Sequence, residues 1–404
     1  MSFQSVVAKI PHRAHFPDDT LTFVLGGYTF IGDRCRELDT DLFETRLLLQ
    51  RTICMLGAEA ARLFYGEHMQ RAGAAPHRVQ TTLFGRGGVQ ALDGEAHRAR
   101  KHLFIELLSP IELQRLSEML LAELRAHEWS ERVALFDVAQ DILARVVCAW
   151  AGVPLEEERR IRDIAAMIDA AGGIGPRNWR GRIGRARAES WVMRQLEEVR
   201  AQRLPATGAL KLFAETDLDT RTAAVELLNV IRPTVAVAYY MTFCAVALHE
   251  FPHMQELAAN DSLVEPFVQE VRRFYPFFPA VAARVRQELD WHDVHFATGT
   301  RVLLDLYGTN HDPRIWEAPD RFRPERFVGW DGDPFTLIPQ GGGDTATGHR
   351  CPGERLTIEL MKTTVRFLTR EIGYDVPAQD LHVSLARMPT LPASRFVIAN
   401  VRTR

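Results

Sequence analysis

Cysteine is scarce in this chain. Five of its 404 residues are cysteine (Cys35, Cys54, Cys148, Cys244 and Cys351), an odd number with no CxxC pair, so neither a disulfide framework nor a structural zinc site is supported. Charge of one sign is lacking too. The 49 Lys and Arg against 52 Asp and Glu leave a net charge of -3 with no block of like charges, which gives no footing for nucleic-acid binding. The first residues, MSFQSVVAKIPHRAHF, hold no apolar core long enough for a signal peptide. Internal repeats, low-complexity tracts and Gly/Ser-rich linkers are also missing. The longest weakly charged stretch, Leu227 to His249, would span a membrane by length. Asn229, Arg232 and Pro233 in its first third point instead to a central buried helix. These absences predict a cytoplasmic protein with no integral membrane segment.

What is present is core. Hydrophobic residues make up 46% and charged residues 25%, enough for a large packed interior under a normally solvated surface. The β-branched and aromatic run Leu21–Ile31, with Gly26-Gly27 as its turn, predicts a strand pair. Helical periodicity follows from Leu42 to about Arg203. Asp217 to Thr220 offer N-caps for the apolar run that begins near Ala223. A further helix over Leu263–Tyr275 stops at Pro276, and Ala282–Tyr307 alternates as a sheet does. Coil rich in Gly and Pro runs from Asp312 to Cys351, a helix follows Pro352-Gly353 to about Glu371, and Leu381–Val401 reads as strands. The fold class is mainly α with a small β portion contributed by about 20–32, 282–307 and 381–402. Helical and sheet parts interleave, which favours one integrated domain over residues 1–404.

Cys351 stands apart from the other cysteines. Residues 339–355 read Pro-Gln-Gly-Gly-Gly-Asp-Thr-Ala-Thr-Gly-His-Arg-Cys-Pro-Gly-Glu-Arg. A thiolate that ligates iron needs close backbone approach and N–H groups aimed at the sulfur, and glycines permit both. A helix starting just after Cys351 would turn its positive end toward the anion. His349 and Arg350 would supply positive charge for haem propionates. A structural cysteine and a cysteine nucleophile remain as alternatives, though the latter lacks a His/Asn partner motif. With its Cys351-Pro352-Gly353, the segment resembles the cysteine-ligand loop of the cytochrome P-450 superfamily. Glu270-Val-Arg-Arg273 looks like that superfamily's Glu-x-x-Arg motif, and Phe322–Phe327 resembles the meander that adds a third charge, Arg326. His97-Arg-Ala-Arg-Lys101 looks like the helix whose basic side chains bind the propionates. Taken alone, His97 and Lys101 would simply share a solvated basic face. The resemblance implies the cytochrome P-450 fold, with heme b as cofactor and Cys351 as its iron ligand.

The central helix departs from the superfamily's usual pattern. Arg232 and Pro233 take the positions of the usual acid and alcohol. A proline inside a helix removes one backbone hydrogen bond, and a lone arginine among apolar residues is costly without an anion. That anion is either a distant core Asp or Glu, a propionate, or the substrate. The substitution resembles the fatty-acid peroxygenase branch, family 152, and the resemblance extends over essentially the whole chain. It implies a hydrogen-peroxide-dependent fatty-acid hydroxylase acting at Cα or Cβ, with Arg232 holding the carboxylate and no obligatory redox partner. Phe84, Ile174, Phe277 and Phe278 are expected along the alkyl chain. Gln90 is expected where decarboxylating members carry His, which favours hydroxylation. The competing readings are a decarboxylase making terminal alkenes, a monooxygenase fed by redox partners, and a haem-based sensor or fatty-acid-binding protein.

Overall fold

Apolar residues crowd every face of residues 220–250, the pattern of a helix enclosed by protein. Asp219 caps the resulting helix, Thr220–Glu250, by accepting the Thr222 N–H at 3.0 Å, which satisfies one orphan donor of the first turn. The computed structural model describes residues 18–255, 260–292 and 294–404, and the signal-peptide reading of the first residues lies outside them. Within it, this helix is the axis of a mostly helical protein. Its length and apolar character would suit a bilayer, yet 94% of its most apolar window is buried inside the protein. Helices Leu135–Ala151, Glu158–Asp169, Pro176–Arg200 and Glu354–Arg366 pack along it. Pro233 lies inside the helix without ending it. Beside it the Thr234 hydroxyl donates back to the Val230 carbonyl at 3.0 Å, so that alcohol is already spent on the backbone.

The sheet predicted over 282–307 is present. Strands β1 (Leu42–Leu47), β2 (Gln50–Met55), β3 (Met69–Gln70), β5 (Ala280–Val285) and β8 (Arg301–Asp305) form one sheet in the order β1-β2-β8-β5-β3. β2 runs parallel to β8 while β5 runs antiparallel to it. β6 (Leu289–Trp291) and β7 (Val294–Phe296) make a separate hairpin. A second sheet, β4-β10-β9, joins Arg132–Ala134, Val397–Thr403 and Ile372–Asp375.

Three expectations need correction. Residues 20–32 are helical, as Thr20–Gly26 and the start of Phe30–Leu38. Asp18 accepts the Thr20 N–H at 2.8 Å and starts the first of these. Gly27, at φ 55°, follows it and brings the backbone against Leu385, where a Cβ would lie 2.0 Å from the carbonyl oxygen. The glycine pair is therefore a helix stop and not a hairpin turn. The strand pair is instead β1 and β2, inside the stretch assigned to helix from Leu42. Its turn is made by Leu48 and Leu49 at φ 53° and 59°, a conformation that usually announces itself as Asn-Gly. The tail is a strand only over Val397–Thr403, with one bridge between Val383 and Pro392.

Candidate active site

Cys351 sits in a loop held by charges and amides. Its N–H donates to the Gln340 carbonyl at 3.1 Å. The Gln340 side-chain Nε2 lies 3.9 Å from Cys351 Sγ and donates to Thr357 Oγ1 at 3.0 Å. Helix Glu354–Arg366 begins three residues past the sulfur, and its first residue, Glu354, is paired with both Arg272 and Arg350. Gly342 allows the loop to close, since a Cβ there would lie 2.9 Å from the Pro334 oxygen. Burial and the Glu354 carboxylate push the free thiol up; the Gly353 N–H, Lys101 and Arg272 pull it down. A metal that binds sulfur as thiolate overrides that burial penalty.

The charged motif upstream assembles as the sequence suggests. Arg273 grips Glu270 through Nε at 2.7 Å and Nη2 at 2.8 Å, and both side chains are fully buried. Arg326 from the meander adds its Nε at 3.3 Å from the same carboxylate. Arg273 also donates to the Asn310 and Pro319 carbonyls, each at 2.9 Å, which ties the meander to helix Asp261–Phe274.

A surplus of buried basic groups marks the other rim. His97 and Lys101, one turn apart on helix Gly94–Leu107, are both buried. Lys101 Nζ donates to the Gly348 and Arg350 carbonyls, and the His97 ring lies 3.9 Å from that of His349. Arg71, which carries no sequence signal in its turn, is buried beside them and stacks 4.1 Å over Phe64. The one acid in this set, Asp93, lies 3.4 Å from His349 and also accepts the Arg71 and Ala72 N–H groups. Burial pulls His97 down to about 4 and Lys101 down to about 8. With Asp93 as its one carboxylate against His97, His349, Lys101 and Arg71, the cradle is short of negative charge. Its donors would suit the two propionates of a haem, with Cys351 available as the sulfur ligand.

The opposite wall comes from the central helix. Arg232 is 5% exposed, its Nε has no hydrogen-bond partner, and no acid pairs with it among the described residues. Burial and the charge of Arg185 pull it down to about 9, with only Cys351 acting the other way. Arg185 is itself committed, to Glu189 at 2.6 Å and to the Leu83 carbonyl at 2.9 Å. The acid that comes nearest in sequence, Glu226, is fully buried and also committed, to Arg100 at 2.7 Å and Asn229 at 3.0 Å. Asn229 Nδ2 reaches the Gln90 Oε1 at 3.2 Å. Gln90 thus spends its acceptor on the helix, and its NH₂ donors have no partner among the described residues. Sequence reasoning named Gln90 and Arg232 but not the Glu226–Asn229 link between their elements, because spacing along a chain does not show contacts across it.

The aromatic expectations divide. Phe277 stacks on Tyr240 with centroids 4.4 Å apart, and Phe278 meets Phe277 edge-on at 4.9 Å. Both, like Phe84, are only partly buried. Ile174, also expected along the alkyl chain, lies apart from these three. It is 59% exposed, because the turn at Gly172–Gly173 packs on Met388 and carries the next residues outward.

The model of the cytochrome P-450 family matches residues 246–377. Among curated proteins the chain is 30% identical to cytochrome P-450 71D94 of Mentha gracilis over 36% of its own length and 29% of that protein's. It is 29% identical to norfluorocurarine oxidase of Strychnos sp over 33% and 27%. These matches span under a third of the relatives. Solved structures match far more fully. Cytochrome P-450EX alpha with myristic acid is 41% identical, with a TM-score of 0.96 over 98% of this chain and 100% of the other. A variant of cytochrome P-450SP alpha is 44% identical, at 0.93 over 96% and 100%. Ligand-free cytochrome P-450 OleT is 35% identical, at 0.93 over 98% and 99%. The first two are family 152 proteins by name. With the sulfur loop, the basic cradle and near-complete superposition together, this chain belongs to the cytochrome P-450 superfamily, in its family 152 branch, and is a haem-thiolate oxidoreductase with heme b as cofactor.

Proposed function

We propose that the protein is a hydrogen-peroxide-dependent fatty-acid hydroxylase acting at Cα or Cβ, with Cys351 as the thiolate ligand and Arg232 as the carboxylate anchor. One observation carries this reading: the buried guanidinium of Arg232 on the central helix has no anionic partner among the described residues. A buried cation without a partner is strongly destabilising, and a guest carboxylate removes the penalty through a bidentate, charge-assisted pair. That a similar chain was solved with myristic acid agrees with this guest. Residues 1–404 are read as one domain, since β2 and β8 share a sheet across most of the chain, and the enzyme is read as cytoplasmic.

Bound haem supplies the oxidising chemistry, with hydrogen peroxide as oxidant, so that R–H and H₂O₂ become R–OH and H₂O. The chain's own residues do the rest. Arg232 fixes the carboxylate, and among the described residues no protein acid competes for the proton-transfer role at that point, Glu226 being engaged elsewhere. The substrate's own carboxylate therefore serves as general acid–base, taking a proton from the peroxide and returning it. Pinning the acid end brings Cα and Cβ closest to the reacting centre. Phe84, Phe277 and Phe278 border the alkyl chain, each buried methylene adding about 0.8 kcal/mol. Pro233 keeps an alcohol away from the position beside Arg232. Gln90 offers amide donors where a histidine would shuttle protons, which favours hydroxylation over loss of the carboxylate.

Peroxide alone, supplied with myristic or palmitic acid, should give 2- or 3-hydroxy acids. Terminal alkenes as the main product would make the protein a decarboxylase instead. Turnover only after a reductase and ferredoxin are added would overturn the peroxide reading.

A further inference from the structure

The segment that carries Phe84 begins with a wide turn. Helix Gln80–Phe84 closes with the Gly85 N–H donating to the Gln80 carbonyl at 2.8 Å, a π-helical turn of a kind frequent at functional sites. The last carbonyls of a helical turn have no partner within it. Here one is met from another helix. Arg185, 2% exposed on helix Pro176–Arg200, donates through Nη1 to the Leu83 carbonyl at 2.9 Å, and its Nη2 lies 3.5 Å from the Phe84 carbonyl. Its Nε donates to Glu189 at 2.6 Å.

Glycine admits the guanidinium. At Gly85, with φ 80°, a Cβ would lie 2.2 Å from Arg185 Nη2 and 2.6 Å from Val225 of the central helix, so only a residue without a side chain lets both approach. A Cβ at Gly88 would lie 2.9 Å from the Phe84 oxygen, 2.9 Å from Asn229 Nδ2 and 3.0 Å from Gln90 Oε1. The chain from Phe84 to Gln90 is thus folded back against Asn229, which stands three residues before Arg232 and so on the same helical face. Phe84 therefore belongs to the Arg232 end of the site. Two anchors hold its segment, Asn229 at one end and Arg185 at the other. The charge of Arg185 is already answered by Glu189, so what it contributes is position.

We propose that Arg185 is a positioning residue for regioselectivity: by holding the Leu83 carbonyl it fixes Phe84 beside the acid end of the substrate, and so sets whether Cα or Cβ is presented. Phe84 borders a guest only if that guest carries an alkyl chain, so this role stands on the fatty-acid hydroxylase reading. The competing account is charge, since Arg185 also acts electrostatically on Arg232. The two separate cleanly. A charge effect survives replacement by lysine, whereas lysine lacks the planar fork that spans Glu189 and the carbonyl.

The test compares haem-loaded parent, Arg185→Lys and Gly85→Ala, the last disturbing the same contact with the charge kept. With palmitate and peroxide, both variants should move the ratio of 2- to 3-hydroxy acid towards an even mixture by about threefold or more, since small displacements of a held substrate change rates strongly. Palmitate affinity, read from the haem's optical shift, should stay near the parent's in Arg185→Lys. Amide hydrogen exchange over residues 80–88 should quicken in both. In a Phe84→Ala background Arg185→Lys should add little to the ratio, because the two act through one another. Should Arg185→Lys fail to load haem, Gly85→Ala decides alone. An unmoved ratio, unchanged exchange, full additivity with Phe84→Ala, or an even mixture already from the parent overturns the proposal. A parent that binds no palmitate or makes no hydroxy acid sinks the fatty-acid hydroxylase reading instead, and the role of Arg185 with it.

Discussion

Glu354 and Arg232 are both buried ions near the haem site, and the fold treats them in opposite ways. Glu354, beside the sulfur, is held by Arg272 and Arg350. Arg232, on the opposite helix, has no acid at all among the described residues. The first arrangement is finished by folding itself. The second is left open, so its completion depends on whatever enters. A buried charge that the protein satisfies is scaffold, and one that it leaves unsatisfied reports the charge of its guest.

Removing Glu354 should have the largest effect. Glu354→Ala leaves two guanidinium groups facing each other without their anion, and breaking a buried pair from one side costs about 3–5 kcal/mol. Urea denaturation of the haem-loaded protein should show that loss, with haem released early in the transition. A loss below about 1 kcal/mol, the value of an exposed pair, would erase the contrast between the two sides.

Arg232→Leu should act in the opposite direction on stability. Replacing an unpaired buried cation with an apolar side chain is neutral or stabilising, so the midpoint in urea should hold or rise. Affinity for palmitate, read from the haem's optical shift, should fall by about 2–5 kcal/mol because a desolvated charge pair is lost. Retained affinity would remove Arg232 from the binding reading, and a large stability loss would mean that the protein already neutralises it.

A smaller effect sharpens the comparison within the open side. Asn229→Leu frees Gln90 Oε1 and leaves Glu226 with one donor fewer. Palmitate should still bind, while the ratio of 2- to 3-hydroxy products shifts. Gln90→Leu added to Asn229→Leu should then change that ratio little, since residues acting through one another are not additive. Independent effects of the two substitutions would mean that the contact at 3.2 Å does not orient Gln90.

The two sides also differed in how far the sequence could be read. Cys351, Glu270, Arg273 and Arg326 were legible because their contacts lie within short motifs or follow from them. The capped central helix was legible from its apolar run and Asp219. The β1–β2 hairpin was not, because Leu48 and Leu49 occupy left-handed positions without a turn residue, and the Thr20–Gly26 helix was hidden in a β-branched run that tertiary packing overrode. Glu226, Asn229 and Arg71 were missed for a different reason. Each gains its role from a partner far away in the chain: Arg100 for Glu226, Gln90 for Asn229, and the His97–His349 pair for Arg71.

The smallest effect should come from Gln340, which shows how the satisfied side is tuned. Its amide spends one N–H on Thr357 and lies 3.9 Å from the sulfur with the other. A donor to a ligating thiolate withdraws electron density from it, and its removal makes the sulfur a stronger donor to iron. Gln340→Leu should therefore lower the haem reduction potential while costing only about 0.5–1.5 kcal/mol of stability, the value of one hydrogen bond. Because the Cys351 N–H still donates to the backbone carbonyl at this position, the loop itself should hold. An unchanged potential together with a loss of stability would assign the amide to Thr357 alone and leave the sulfur to its backbone donor and the nearby cations.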